Sequence, residues 1–166
     1  MVLLGRFTLA EALEQVQCLE QLPVYDASFK ATSPVTTQKG ETYLRESPKD
    51  QDKLMSKLGV SIQKHAGVWN AVALALENAF LRGNKADPKL EVVVRVYEGL
   101  AGKVVQIIDS GAGFDYHDIV RRVYAEKEYA SGRGMGLRTL SKSPVIGGYE
   151  DKGNILNIAI MSKDLE

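Results

Sequence analysis

The stretch "AVALALENAFLRGN", residues 71–84, decides how the chain is read. It makes a helix apolar on nearly every side, which is the mark of a core helix. Yet Glu77, Asn78 and Arg82 interrupt it. A carboxylate or amide buried there costs roughly 1–3 kcal/mol unless something satisfies it. Asn78 has Leu74 one turn before it, Leu81 three residues after it and Ala71 two turns before it. Its amide therefore lies on the apolar stripe and calls for a metal, a ligand or a backbone group. The plainer alternative is an asparagine bonded to neighbouring backbone.

Working outward, the spacing predicts a helix over residues 62–82, stopped by Gly83-Asn84 and then Pro88. The period then changes to two. "LEVVVRVYE" puts Leu90, Val92, Val94 and Val96 on one strand face, with Glu91 and Arg95 on the other. "GLAG" turns the chain, and "KVVQIID" returns as an antiparallel neighbour. Residues 110–131 are polar without a strong period. "GMGLRTLSKS" reads as a short helix, and "GNILNIAIM" as a final strand entered through Gly147-Gly148 and Gly153.

Upstream, Thr8 and Glu11 have capping-box spacing. Leu9, Leu13, Val16 and Leu19 give a first helix over residues 8–22, ended by Pro23. "VYDASFK" suits a strand, and "TSPVTTQKGE" has turn and loop chemistry. Ser47-Pro48 starts a helix that Gly59 stops. The fold class that follows is α+β, a two-layer sandwich with helices on one face of a mixed, mostly antiparallel sheet.

Composition bounds the function. The 166 residues suit one domain, 45% hydrophobic and 25% charged, as expected of a soluble globular chain. Lysine plus arginine and aspartate plus glutamate both number 21, with no basic stripe, which argues against nucleic acid and anionic membrane as partners. Cys18 stands alone, so no intrachain disulfide forms. No apolar run reaches the roughly 18–20 residues of a membrane span. "MVLLGRF" is too short for a signal-peptide core. A cytoplasmic location is the expectation.

Two glycine-rich stretches accompany the helix. In "VQIIDSGAGFD", Asp109 ends a strand, and Gly111 and Gly113 follow at alternate positions. Glycines let a backbone approach a flat ligand, and a carboxylate at such a mouth accepts from an exocyclic amine. A hairpin turn with a surface aspartate would look the same. In "SGRGMGLRTL", Gly132, Gly134 and Gly136 precede a helix, with Arg133 between two of them. Free amides at a helix N-terminus suit phosphate. Leu137 stands where a dinucleotide fingerprint needs its last glycine, and no Gly-Lys-Ser/Thr of a P-loop follows.

In order and spacing, "ENAFLRGN", "DSGAGFD" and "GRGMGL" together resemble the GHKL or Bergerat-fold ATPases: gyrase, the heat-shock chaperone, histidine kinases and mismatch-repair ATPases. The resemblance covers residues 68–161 as a nucleotide-binding core; the N-terminal helical elements, residues 1–60, lie outside it. It implies that Asn78 holds Mg²⁺ on ATP phosphates and that Asp109, with Gly111 and Gly113, reads the adenine amine. It further implies that Gly132, Arg133, Gly134 and Gly136 belong to a lid over the phosphates. "NAFLRGN" is similar to the Asn-Ala-x-x-His-Gly-Asn of the stand-alone anti-sigma-factor/serine-kinase type, with Arg82 in place of histidine. A short lid over residues 114–131 also fits that type. The stretch ahead of the Asn78 helix is too short for a dimerising, phosphoaccepting helical pair, and His65 reads as an ordinary histidine.

One departure matters. The resemblance implies a glutamate four residues before the Mg²⁺ asparagine, acting as general base on the same helix face. Leu74 occupies that position. Glu77 is a weak substitute, since one residue along a helix is a rotation of about 100°. Asn70 lies about 12 Å along the axis from Asn78. The expectation is an ATP- and Mg²⁺-binding regulator of a protein partner with little or no kinase activity. An active serine/threonine kinase and a nucleotide-free interaction surface are the alternatives, and a homodimer through residues 1–60 is left open.

Overall fold

A computed structural model gives the architecture, and it describes residues 2–29, 31–36, 42–46, 48–85, 87, 89–125 and 144–166. The elements in chain order are β1 (Val2–Arg6), α1 (Leu9–Gln15), β2 (Tyr25–Phe29), β3 (Ala31–Thr36), β4 (Thr42–Glu46), α2 (Pro48–Leu58) and α3 (Ala66–Asn78). After a π-turn at Ala79–Gly83 come β5 (Val92–Glu98), β6 (Gly102–Ile108), α4 (Tyr116–Tyr124), β7 (Ile146–Glu150), β8 (Ile155–Met161) and a closing 3₁₀ turn at Ser162–Leu165. Six strands form one sheet in the order β1-β7-β8-β6-β5-β2, and β3 pairs with β4 separately. Only β1–β7 is parallel; the other described pairs are antiparallel. The α+β sandwich on a mixed, mostly antiparallel sheet is present.

The period-two stretch behaves as its sequence demands. Val92, Val94 and Val96 of β5 are buried against Leu54, Leu58, Val72 and Leu76 of α2 and α3. Tyr116 and Val120 of α4 join the same core. In β8, by contrast, every residue from Leu156 to Ile160 is buried, so this strand is covered on both faces. The second cover is α1: Ala12, Leu13 and Val16 pack with Tyr97, Val104 and Ala159 on the far side of the sheet. Within the expected sandwich, α1 therefore differs from the other helices by lying on the opposite face.

Several boundaries move. Thr8 caps α1, its Oγ1 accepting from the Glu11 amide at 3.2 Å. The helix ends at Gln15 instead of residue 22, because Gln17 turns left-handed at φ 56°. Cys18 N–H then bonds the Leu13 carbonyl and Gln17 N–H the Glu14 carbonyl, a Schellman closure. Leu19, expected on the helical stripe, is exposed. The third helix starts at Ala66, later than residue 62. Residues 32–36 of "TSPVTTQKGE", loop by their chemistry, lie in β3, which pairs with β4. Residues 110–131, without an evident period, contain α4. Gly147-Gly148 lies inside β7, whose strand character the glycine pair masks. The helix expected in "GMGLRTLSKS" lies outside the described residues.

Candidate functional site

The site is built where α3 ends beside the exit of β6. At Asn78 the α-helix gives way to a π-turn, and Asn84 N–H reaches back to the Ala79 carbonyl at 2.9 Å. A π-turn is a common way for a helix to close. Its extra width delivers Gly83 and Asn84 to the loop after β6. Asn84 is buried; its Oδ1 accepts from Ser110 N–H at 2.7 Å and its Nδ2 donates to the Glu91 carbonyl at 3.1 Å. This asparagine ties the helix end to the Asp-Ser-Gly loop. Asn84→Ala leaves Ser110 N–H without its acceptor, and unfolding should become easier by about 2 kcal/mol. Denaturant midpoints of the two chains check this.

Gly83 is required by contact. A Cβ there would lie 2.3 Å from Asp109 Cγ, and a Cβ on Gly111 would lie 1.9 Å from the Gly83 carbonyl oxygen. The helix end and the glycine loop, read separately from the sequence, thus meet in space. Asp109 N–H donates to the Asn154 carbonyl at 3.0 Å, and Gly111 N–H donates to Asp109 Oδ1 at 2.8 Å. Asp109 Oδ2 has no hydrogen-bond partner among the described residues. Burial pushes the Asp109 carboxyl above its ordinary range, against the opposing pull of Gly111 N–H and the Lys152 charge.

Aromatic rings stand next to this carboxylate, and they were not singled out from the sequence. Phe114 meets Tyr149 edge-to-face at 5.0 Å, and Tyr149 stacks with Tyr116 at 5.6 Å. The Tyr149 hydroxyl is pushed far up by burial and then by the Asp109 charge, which places the two residues in electrostatic reach. The "GFDY" that follows Asp109 carries two of the three rings and was the available signal. Gly113 is left-handed at φ 82°, and its Cβ would lie 2.0 Å from the Lys152 carbonyl oxygen. Phe114 N–H bonds that same oxygen at 2.8 Å. The loop is thereby seated on the β7–β8 turn.

The remaining expected residues divide. Asn78 is half-buried at the end of α3, and its side chain makes no hydrogen bond among the described residues. Leu74, one turn earlier, packs against the main core. Glu77 is half-buried and Asn70 and Arg82 are exposed. His65 is structural: Nδ1 accepts from Ser61 N–H at 3.1 Å, and Nε2 lies 3.1 Å from the Leu165 carbonyl. Gly132, Arg133, Gly134 and Gly136 lie outside the described residues. Among the described residues no three His, Cys, Asp or Glu side chains converge as a metal site, so the side-chain fit to Mg²⁺ rests on the unpartnered Asn78 amide. None of the described helices is long and apolar enough to cross a membrane. No protein-family model matches the chain, and no curated protein or solved structure is significantly similar to it.

Proposed function

We propose that the chain is an ATP- and Mg²⁺-binding regulatory module of the anti-sigma-factor type. It controls a protein partner through a nucleotide-ordered lid and transfers little or no phosphate. The observation that carries this reading is the Asp109 carboxylate: half-buried, with Oδ1 fixed by Gly111 N–H and Oδ2 free of hydrogen bonds among the described residues. Phe114, partly exposed and packed edge-to-face on the buried Tyr149, offers apolar surface suited to a planar base. The free carboxylate oxygen accepts the adenine amine. Asn78 holds Mg²⁺ on the phosphates, and the glycine segment 132–136 with Arg133 closes over them. Leu74, packed on the core, cannot take a proton, which disfavours the kinase alternative and leaves Glu77 as a poorly directed substitute.

A second reading, a nucleotide-free interaction surface, is favoured by one observation. Gly83, Gly111 and Gly113 are each explained by close packing against protein atoms alone. Calorimetric titration with ATP and Mg²⁺ separates the two. Micromolar binding, with no phosphate passed to a captured partner, supports the regulator. Absence of binding heat brings the second reading forward, and phosphate on the partner restores the kinase.

A further inference from the structure

The end of the sheet opposite Asp109 carries a feature that the nucleotide reading does not use. Leu19 and Leu22, in the connection from α1 to β2, are 85% and 69% exposed, and Leu100, in the β5–β6 turn, is 81% exposed. The two connections are held together by backbone. Leu100 N–H donates to the Gln17 carbonyl at 3.2 Å and Ala101 N–H to the Val16 carbonyl at 2.9 Å. A Cβ on Gly99 would lie 2.1 Å from that Val16 oxygen, so the turn sits directly on the end of α1. Gln17 and Gln21 both hold left-handed backbone, at φ 56° and 54°. The first closes α1, and the two together fix the path by which the connection carries Leu19 and Leu22 away from the helix.

The surroundings of these leucines are acidic. A depression of about 420 Å³ runs along α1, lined by Phe7, Glu11, Glu14, Gln15 and Gln17. Glu20 is exposed next to Leu19, whereas Glu98, cross-strand from Lys103, lies on the α2 face of the sheet. Lys103 turns its Nζ to the Lys57 carbonyl at 3.3 Å. Lys163 is a nearby exposed cation, adjoining Ser162, whose N–H bonds the Ala101 carbonyl. Glu11, Glu14 and Glu20 thus outnumber the exposed cations Arg6 and Lys163 along α1 and its apolar tip. Such a tip with a charged rim is the usual form of a protein-docking site.

We propose that this surface docks a basic amphipathic segment of a partner protein. Apolar side chains of the segment sit on Leu19, Leu22 and Leu100, and its lysines or arginines sit over Glu14 and the α1 depression. A second copy of this chain is the poorer occupant, because a two-fold contact would set the acidic rim against itself. The surface is remote from Asp109 and stands whether or not nucleotide binds.

The test uses the full chain and a fluorescein-labelled amphipathic helical peptide of leucine and lysine, read by anisotropy. Wild type should bind it with an affinity that falls as salt rises. The Leu19→Ser, Leu100→Ser double variant and Glu14→Lys should each bind at least tenfold more weakly with unchanged circular dichroism. A matched peptide of leucine and glutamate should not bind. Equal affinity for the two peptides, or no loss in either variant, overturns the proposal. A wild-type dimer in sedimentation that the leucine variant abolishes also overturns it and gives the surface to a second copy.

Discussion

Gly113→Ala is expected to destabilise the chain by about 4 kcal/mol, whereas Gly59→Ala should cost only about 1–2 kcal/mol. Both glycines are left-handed, at φ 82° and 70°. An L-residue in that conformation costs roughly 1–2 kcal/mol at either position. The difference lies in the space around them. At residue 59 the nearest atom to a new Cβ is Lys103 Nζ at 3.6 Å, an ordinary contact with the far end of a flexible side chain. At residue 113 the new Cβ would lie 2.0 Å from the Lys152 carbonyl oxygen and 2.7 Å from its carbon. Backbone must move, which adds roughly 1–3 kcal/mol. The displaced turn also carries Asn154, whose carbonyl and Nδ2 hold the backbone of Asp109. Urea midpoints at constant slope measure both variants. Equal losses would mean that the glycine loop lifts freely from the β7–β8 turn, and Gly113 would then be a hinge instead of a seat.

What could be read from the chain follows from how local each signal is. β5 and β6 show themselves because alternation in "VVVRVYE" needs only one buried face, and Val92, Val94 and Val96 occupy it. α4 announces itself less clearly. Its Asp115 is a true N-terminal acceptor, Oδ1 taking Asp118 N–H at 3.1 Å, but it reads as the tail of the glycine loop. Pro34 hides β3, although an edge hairpin tolerates a residue without an N–H.

The placement of α1 depends on contacts distant in sequence. Gln106 and Asn157 look like outward-facing polar residues of β6 and β8, yet both are buried beneath it. Their amide donors are satisfied from afar, Glu150 Oε1 accepting Gln106 Nε2 at 3.3 Å and Asn157 Nδ2 at 3.2 Å, while the buried Asn157 Oδ1 has no partner among the described residues. Glu150 Oε2 accepts the first amide of α1, Leu9 N–H, at 3.3 Å. A polar residue inside an apolar strand carries no label saying which element will cover it. The site divides the same way. Asp109, Gly111 and Gly113 form a linear motif, whereas Asn84 and Tyr149 join it only through the fold.

The second large effect is expected on affinity. Asp109→Asn should weaken ATP binding about 100-fold, since a hydrogen bond to a charged acceptor contributes roughly 1.5–3 kcal/mol and 1.4 kcal/mol is tenfold. The replacement amide also points donors where the base presents its own. The same substitution should not harm the empty protein. Burial raises the Asp109 carboxyl above its ordinary 3.8, so over the window just above that value the folded chain holds a proton that the unfolded chain has released. Stability therefore falls as pH rises through the window, and the penalty is full once the folded carboxyl has ionised. Asparagine keeps an acceptor for Gly111 N–H without that penalty. Asp109→Asn should then be more stable than wild type at neutral pH, with the gain shrinking as pH drops below 3.8. Calorimetric titration with ATP and Mg²⁺, paired with denaturation at neutral and acidic pH, reads both effects. Weakened binding with preserved stability assigns the carboxylate to the ligand. Lost stability with unchanged binding assigns it to the loop and takes the adenine contact away from Asp109, whereas no binding heat in either chain would bring the nucleotide-free reading forward.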